Sequence, residues 1–134
     1  MDSQTSLQQI KDVIRKYCEA RDWDQYHNPK DLAIGIITES SELLEHFRFK
    51  SNSEMEQMFT NEEKRTQIGE EMADVLYFLL RLAQMYNVDL ATEFSKKMAK
   101  NELKYPVEKA KGSNKKYNEF WKDYGIFSDA NNKH

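Results

Sequence analysis

Apolar positions in this chain recur at intervals of three and four residues and nowhere alternate over a useful length, which predicts helices rather than strands. Leu7, Ile10, Val13 or Ile14, and Tyr17 mark a first helical face. Ser6 with Gln9 three residues on is a capping-box pair, so the first helix is expected to start there and to end near Ala20 to Asp22. Arg21-Asp22-Trp23-Asp24-Gln25-Tyr26-His27-Asn28-Pro29 reads as a loop, because Pro29 disfavours helix at Asn28. A second helix is expected from about Pro29 or Lys30 to Phe47. The polar connection from Arg48 to Asn61 holds a Ser51-Asn52-Ser53 turn and a short amphipathic piece with Met55, Met58 and Phe59. Thr60 or Asn61 then caps the longest and most apolar helix, which reaches to about Tyr86. After a turn at Asn87-Val88, Asp89 caps a fourth helix carrying Leu90, Phe94 and Met98, which ends before Pro106.

From Gly112 onward the chain is polar, yet Tyr117, Phe120, Trp121 and Tyr124 recur at helical spacing. A free tail would not need that stripe, so it is expected to pack on the body or on a neighbouring subunit. The pattern predicts an all-α fold, a four-helix arrangement over residues 1–111 with a polar extension over 112–134.

Composition sharpens this picture. Four glycines and two prolines in 134 residues favour long helices, and the length suits one domain with a single core. A formal net charge of −3 gives no general attraction to nucleic acid or to an anionic membrane. One cysteine, Cys18, excludes an intrachain disulfide and points to a reducing, cytoplasmic setting, with Cys18 as a packing residue. The first residues lack the basic and apolar regions of a signal peptide, and the longest apolar runs are too short to span a bilayer.

The chemistry concentrates in two acidic motifs, Glu39-Ser40-Ser41-Glu42 and Glu71-Met72-Ala73-Asp74. In each, two carboxylates three residues apart share one helix face. On a helical wheel Glu71 falls between Phe78 and Leu82, with Val75 and Ile68 close by, so an acid sits inside the apolar stripe. Glu39 borders the core formed by Leu32, Ile36 and Leu43, and Glu42 lies one step outside it. Acids at helical spacing commonly form a solvated face. Ionised carboxylates in an apolar seam, however, are costly unless paired or bound to metal. No basic side chain occupies the same wheel angles. Divalent cations are the economical solution, and an all-oxygen ligand set favours Mg2+ or Mn2+.

Other chemistries lack their residues. The position three before His46 is Leu43, so the Glu-x-x-His pair of a di-iron bundle is missing. Zinc-protease, Walker A and dinucleotide-loop motifs are absent as well. A carboxylate-held Mg2+ usually partners a substrate phosphate. Lys50, Arg81, Lys97, Lys100 and Lys104 are available for the rest of a phosphate chain, although each taken singly suits a solvated surface. Trp23, Tyr26 and His27 can stack on or hydrogen-bond to a ligand, or simply plug the end of a bundle.

Glu39-x-x-Glu42 followed by Glu71-x-x-Asp74 resembles the paired acidic signature of the MazG-like, all-α nucleoside triphosphate pyrophosphohydrolases. Arg21 to Pro29 resembles the Arg-Asp-Trp-Glu-Gln-Phe-His-x-Pro stretch of the dCTP pyrophosphatase branch. Lys97-Met98-Ala99-Lys100-Asn101 with Lys104-Tyr105-Pro106 resembles the ending of that branch. The likeness covers roughly residues 6 to 107.

The resemblance implies a MazG-like bundle that hydrolyses a nucleoside triphosphate between its α and β phosphates, preferably dCTP or a modified dCTP, to monophosphate and pyrophosphate. It implies Glu39, Glu42, Glu71 and Asp74 as Mg2+ ligands. Glu42, or else Glu39, would orient or deprotonate the attacking water. Trp23, Asp24, Gln25, Tyr26 and His27 match the substrate-binding loop. Phe49 stands where the branch usually has a Trp, Phe78 where it has a Tyr, and Ile14 where its first helix has a histidine; these departures bear on base preference. Lys97 and Asn101 match positions near the phosphates or sugar. The family assembles as homodimers, often paired into homotetramers. The alternatives are a bundle that binds nucleotide without cleaving it, or the same reaction on a different nucleotide.

Overall fold

A computed structural model gives the structure of the chain and describes residues 1–122. All regular secondary structure among the described residues is helical, with no strand. α1 spans Leu7–Ala20, α2 Pro29–Phe47, α3 Asn52–Thr60 and α4 Glu62–Met85. α5 (Leu90–Lys104), α6 (Val107–Ala110) and α7 (Tyr117–Lys122) follow. The four long helices expected from the pattern are therefore all present. The short amphipathic piece is a full helix, α3, and two short helices, α6 and α7, follow Pro106.

Local chemistry sets the helix ends. The Ser6 hydroxyl accepts from the Gln9 N–H while the Gln9 side chain accepts from the Ser6 N–H, closing the capping box. Asn28 caps α2 by accepting from the Asp31 N–H, and Pro29 takes the first helical position, where its missing N–H costs nothing. Ser51 and Glu54 form a second capping box at α3. Asn61 rather than Thr60 caps α4.

The chain divides into two compact units, Met1–Asp89 and a second beginning at Leu90. In the first, α4 is the central element and packs on α1, α2 and α3. Its core is Ile14 and Cys18 of α1, Leu32 of α2, and Ile68, Leu80 and Ala83 of α4. The buried face of α1 is rotated from the expected one. Lys11, Ile14 and Cys18 point inward, while Leu7, Val13 and Tyr17 are substantially exposed. Lys11 tolerates burial because its stem packs while its Nζ donates to the Val88 carbonyl at 2.6 Å.

α2 and α4 meet closely beside Gly35. A Cβ built there would lie 2.5 to 2.8 Å from three atoms of the Phe78 ring. The absent side chain lets an aromatic ring rest on the backbone of α2, one turn before Glu39 and one turn after Asp74. Away from this contact both helices expose apolar stripes: Ile34, Ile37 and Leu44 on α2, and Met72, Leu76 and Leu79 on α4. No described helix is long and apolar enough to cross a membrane.

In the second unit, the Tyr117 ring meets the Tyr105 ring edge-on with centroids 6.3 Å apart. The Lys104 Nζ lies 4.8 Å from the Tyr117 centroid. Of the aromatic stripe expected in the extension, Tyr117 thus packs within this unit. The side chains of Phe120 and Trp121, and all of Tyr124, lie outside the described residues.

Candidate metal centre

α2 and α4 bring three carboxylates together. Single oxygens of Glu39, Glu42 and Glu71 all lie within 4.8 Å of one another. Glu39 and Glu71 are half-buried and Glu42 is exposed, in the order expected from the helical wheel. Oε2 of Glu39 and Oε2 of Glu71 are buried and have no hydrogen-bond partner. Leaving such a group unsatisfied costs free energy.

Electrostatics agree with the geometry. Burial first, then the close approach and charge of Glu42, then the charges of Asp74 and Glu71, push the Glu39 carboxyl above its ordinary range. Burial first, then Glu42, then Asp74, raise Glu71, and His46 opposes the shift weakly. The cluster therefore holds more negative charge than it can bear alone. A cation would satisfy both orphan oxygens and relieve the repulsion, and oxygen-only donors suit a hard divalent ion. The residues present fit a metal on this count. Asp74, the remaining expected ligand, contributes its charge from the next turn of α4, outside the group of three.

Asp74 instead edges a cavity of about 370 Å3 with Val13, Ile14, Tyr17, Trp23 and Tyr77. Its walls are mostly apolar and aromatic, and its size lies in the range of small-molecule sites. The Tyr17 ring meets Trp23 edge-on at 5.5 Å and Tyr77 at 6.2 Å. The Arg21 guanidinium lies 3.7 Å from the Tyr17 centroid. The Tyr77 hydroxyl and the Cys18 thiol are 3.2 Å apart, and burial, followed by Cys18, holds the Tyr77 hydroxyl well above its ordinary value. Cys18 is thus a buried packing residue.

Sequence reasoning found Trp23 and missed Tyr17 and Tyr77 as cavity walls. Their signal was the same apolar stripe that reads as core. A second cavity, about 330 Å3, is lined by α1, the end of α4 and the turn after it, including Lys11, Asp12, Arg15, Asn87 and Asp89, and none of the four acidic-motif residues lines it.

The loop before α2 is a short 3-10 turn, Asp24–Tyr26. Gln25 folds back on Asp22, and Tyr26 is exposed. Asp24 and His27 are both tied to Arg81 of α4, which is 1% exposed. Arg81 is therefore not a free cation for a phosphate chain, contrary to its surface reading. Phe49 is 90% exposed and holds a positive φ of 63°, a costly backbone for a bulky residue, with the Arg48 guanidinium 4.7 Å from its ring centroid. Phe78 packs on Gly35, and neither Phe49 nor Phe78 lines the 370 Å3 cavity. Lys97 and Asn101 lie on α5, in the second unit.

An all-α chain with two facing acid-x-x-acid helices defines a class, and comparison agrees: the chain belongs to the MazG-like family, which it matches over residues 34–120. Among its relatives, dCTP pyrophosphatase 1 of Rattus norvegicus is 35% identical over 112 residues, 84% of this chain and 66% of that protein. The Homo sapiens dCTP pyrophosphatase 1 is 33% identical over 114 residues, 85% of this chain and 67% of that protein. The chain thus spans about two thirds of the length of these relatives. A crystal structure of a pyrophosphatase from Archaeoglobus fulgidus matches with a TM-score of 0.69 and 37% identity, covering 74% of this chain and 91% of that one.

Proposed function

We propose that this chain is a Mg2+-dependent nucleoside triphosphate pyrophosphohydrolase that prefers dCTP or a modified dCTP and releases the monophosphate and pyrophosphate. The observation that carries this reading is the trio Glu39, Glu42 and Glu71 with two buried, unpartnered oxygens. The names of the relatives, dCTP pyrophosphatase 1 and pyrophosphatase, support the reaction and the base.

In this reading Glu39 and Glu71 would hold the ion, with Glu42 and Asp74 completing the acidic set. Mg2+, or Mn2+ in its place, would supply charge neutralisation at this site. Glu42, the exposed member, would orient or deprotonate the attacking water, with Glu39 as the alternative. Trp23, with Tyr17 and Tyr77, walls the base. Asp24, Gln25, Tyr26 and His27 complete the binding loop. Phe49 and Phe78 bear on base preference from outside that cavity, and Lys97 and Asn101 serve the phosphates or sugar.

The catalytic part is residues 1–111, with 112–134 as an extension. The exposed stripes on α2 and α4 support a homodimer or homotetramer, since unpartnered apolar faces of this kind mark association surfaces. The single buried thiol supports a cytoplasmic location.

The test is a panel of common NTPs and dNTPs read by 31P NMR, with Mg2+ and with chelator. Metal-dependent monophosphate and pyrophosphate, fastest from dCTP, is the expected result. The same products from another nucleotide would keep the metal centre and discard the base assignment. Orthophosphate would refute the bond assignment. No product from any nucleotide would move the chain to a nucleotide-binding role.

A further inference from the structure

Arg81 is the largest of the fully buried side chains, 1% exposed, on a helix that otherwise turns apolar groups inward there. Each of its three guanidinium nitrogens has a partner. Nε donates to His27 Nδ1 at 2.9 Å, one terminal nitrogen donates to Gln84 Oε1 at 2.6 Å, and the other pairs with Asp24. Asp24 opens the 3-10 turn that follows Trp23 and His27 closes it, and the Trp23 and His27 rings lie 6.2 Å apart. One cation thus anchors both ends of a loop whose tryptophan walls the cavity beside Asp74.

We infer that Arg81 is a positioning residue, which clamps the Trp23–His27 loop to α4 and fixes His27 as an Nε2–H hydrogen-bond donor. The tautomer follows from the chemistry of arginine. A guanidinium has only donors, so the Nδ1 facing Nε must be the bare, accepting nitrogen, and the ring proton must sit on Nε2. Burial, followed by the Arg81 charge, holds the His27 imidazole below its ordinary value, while Asp24 opposes the shift. The ring therefore stays neutral at pH 7. It offers one donor, suited to an oxygen acceptor on a bound nucleotide.

The consequence for turnover rests on the hydrolase reading; the tautomer does not. The first measurement is therefore the imidazole 15N spectrum of the wild-type protein at pH 7. An unprotonated Nδ1 and a protonated Nε2 are expected. A protonated Nδ1, or a ring averaging between tautomers, would overturn the inference while leaving the hydrolase reading intact.

The second measurement is steady-state kinetics on dCTP with Arg81→Leu and the gentler Arg81→Lys, which keeps the buried charge. With the loop unclamped, KM is expected to rise about tenfold, the scale of one lost hydrogen bond, while kcat falls less than about threefold. Arg81→Lys is expected to fall between wild type and Arg81→Leu and to fold if the leucine variant does not. An unchanged KM in a folded variant would overturn the positioning role. Failure of the wild type to turn over any nucleotide would sink the hydrolase reading alone.

Discussion

Gly35 offers a prediction whose sign depends on one contact. Replacing glycine by alanine inside a helix gains up to about 1 kcal/mol from backbone propensity alone. At Gly35 the new Cβ would meet three atoms of the Phe78 ring at 2.5 to 2.8 Å, where ordinary contact begins at 3.4 Å. The clash reaches Phe78 Cγ, at 2.8 Å, which turning the ring about its own axis does not move, so the Phe78 side chain or the two helices must shift by several tenths of an ångström or more. Overpacking of this kind costs about 1 to 3 kcal/mol. Gly35→Ala is therefore expected to lose about 1 to 2 kcal/mol net. Gly69 supplies the control, because its Cβ would meet nothing within 4 Å, and Gly69→Ala is expected to gain about 0.5 to 1 kcal/mol. For a chain of this size the two melting temperatures should differ by roughly 6 to 12 °C. Thermal melts in chelator read this directly. Because the contact lies one turn from Glu39 and from Asp74, Gly35→Ala should also weaken divalent-metal binding, measured by Mn2+ titration. Equal shifts of the same sign in both variants would refute the account of how α2 approaches α4.

Two further outcomes are expected. The folded-state carboxyl of Glu39 is raised above its ordinary value of 4.5, so the stability it contributes is fully present below that pH and is lost as pH rises through the raised value. In chelator, wild type should therefore lose stability relative to Glu39→Gln as pH rises from about 4.5 to neutrality, and saturating Mg2+ should remove the difference; a gap that widens toward acid pH would contradict this. Ser6→Ala removes the α1 cap and should cost about 1 kcal/mol in a thermal or urea melt, whereas a neutral result would mean that α1 starts elsewhere.

What could be read in advance follows from how local each cause is. Helix ends were legible because a cap is a contact over three residues, as at Ser6 with Gln9 and at Asn61 with Lys64. Glu39 and Glu71 stood out because an acid in an apolar stripe breaks its own pattern, and the structure places both in the seam with orphan oxygens. The rotation of α1 was not legible. Lys11 is buried by a carbonyl 77 residues away, and no period in α1 records that partner. Arg81 read as one surface cation among several for the same reason, since its acceptor on His27 lies 54 residues back in a loop. Tyr17 and Tyr77 looked like core because the wall of a cavity and the wall of a core have the same spacing. Their difference is an unfilled volume, which only the packing of α1 against α4 creates.

In the proposed function the carboxylate trio is the working centre of a phosphoanhydride hydrolase. The most direct measurement compares wild type and Glu71→Gln side by side for pyrophosphate release from dCTP with Mg2+, and for melting temperature in chelator. The variant is expected to lose turnover while melting at the wild-type temperature or above, because a buried carboxylate oxygen without a partner has been removed. A variant that releases pyrophosphate at the wild-type rate would contradict the proposed function.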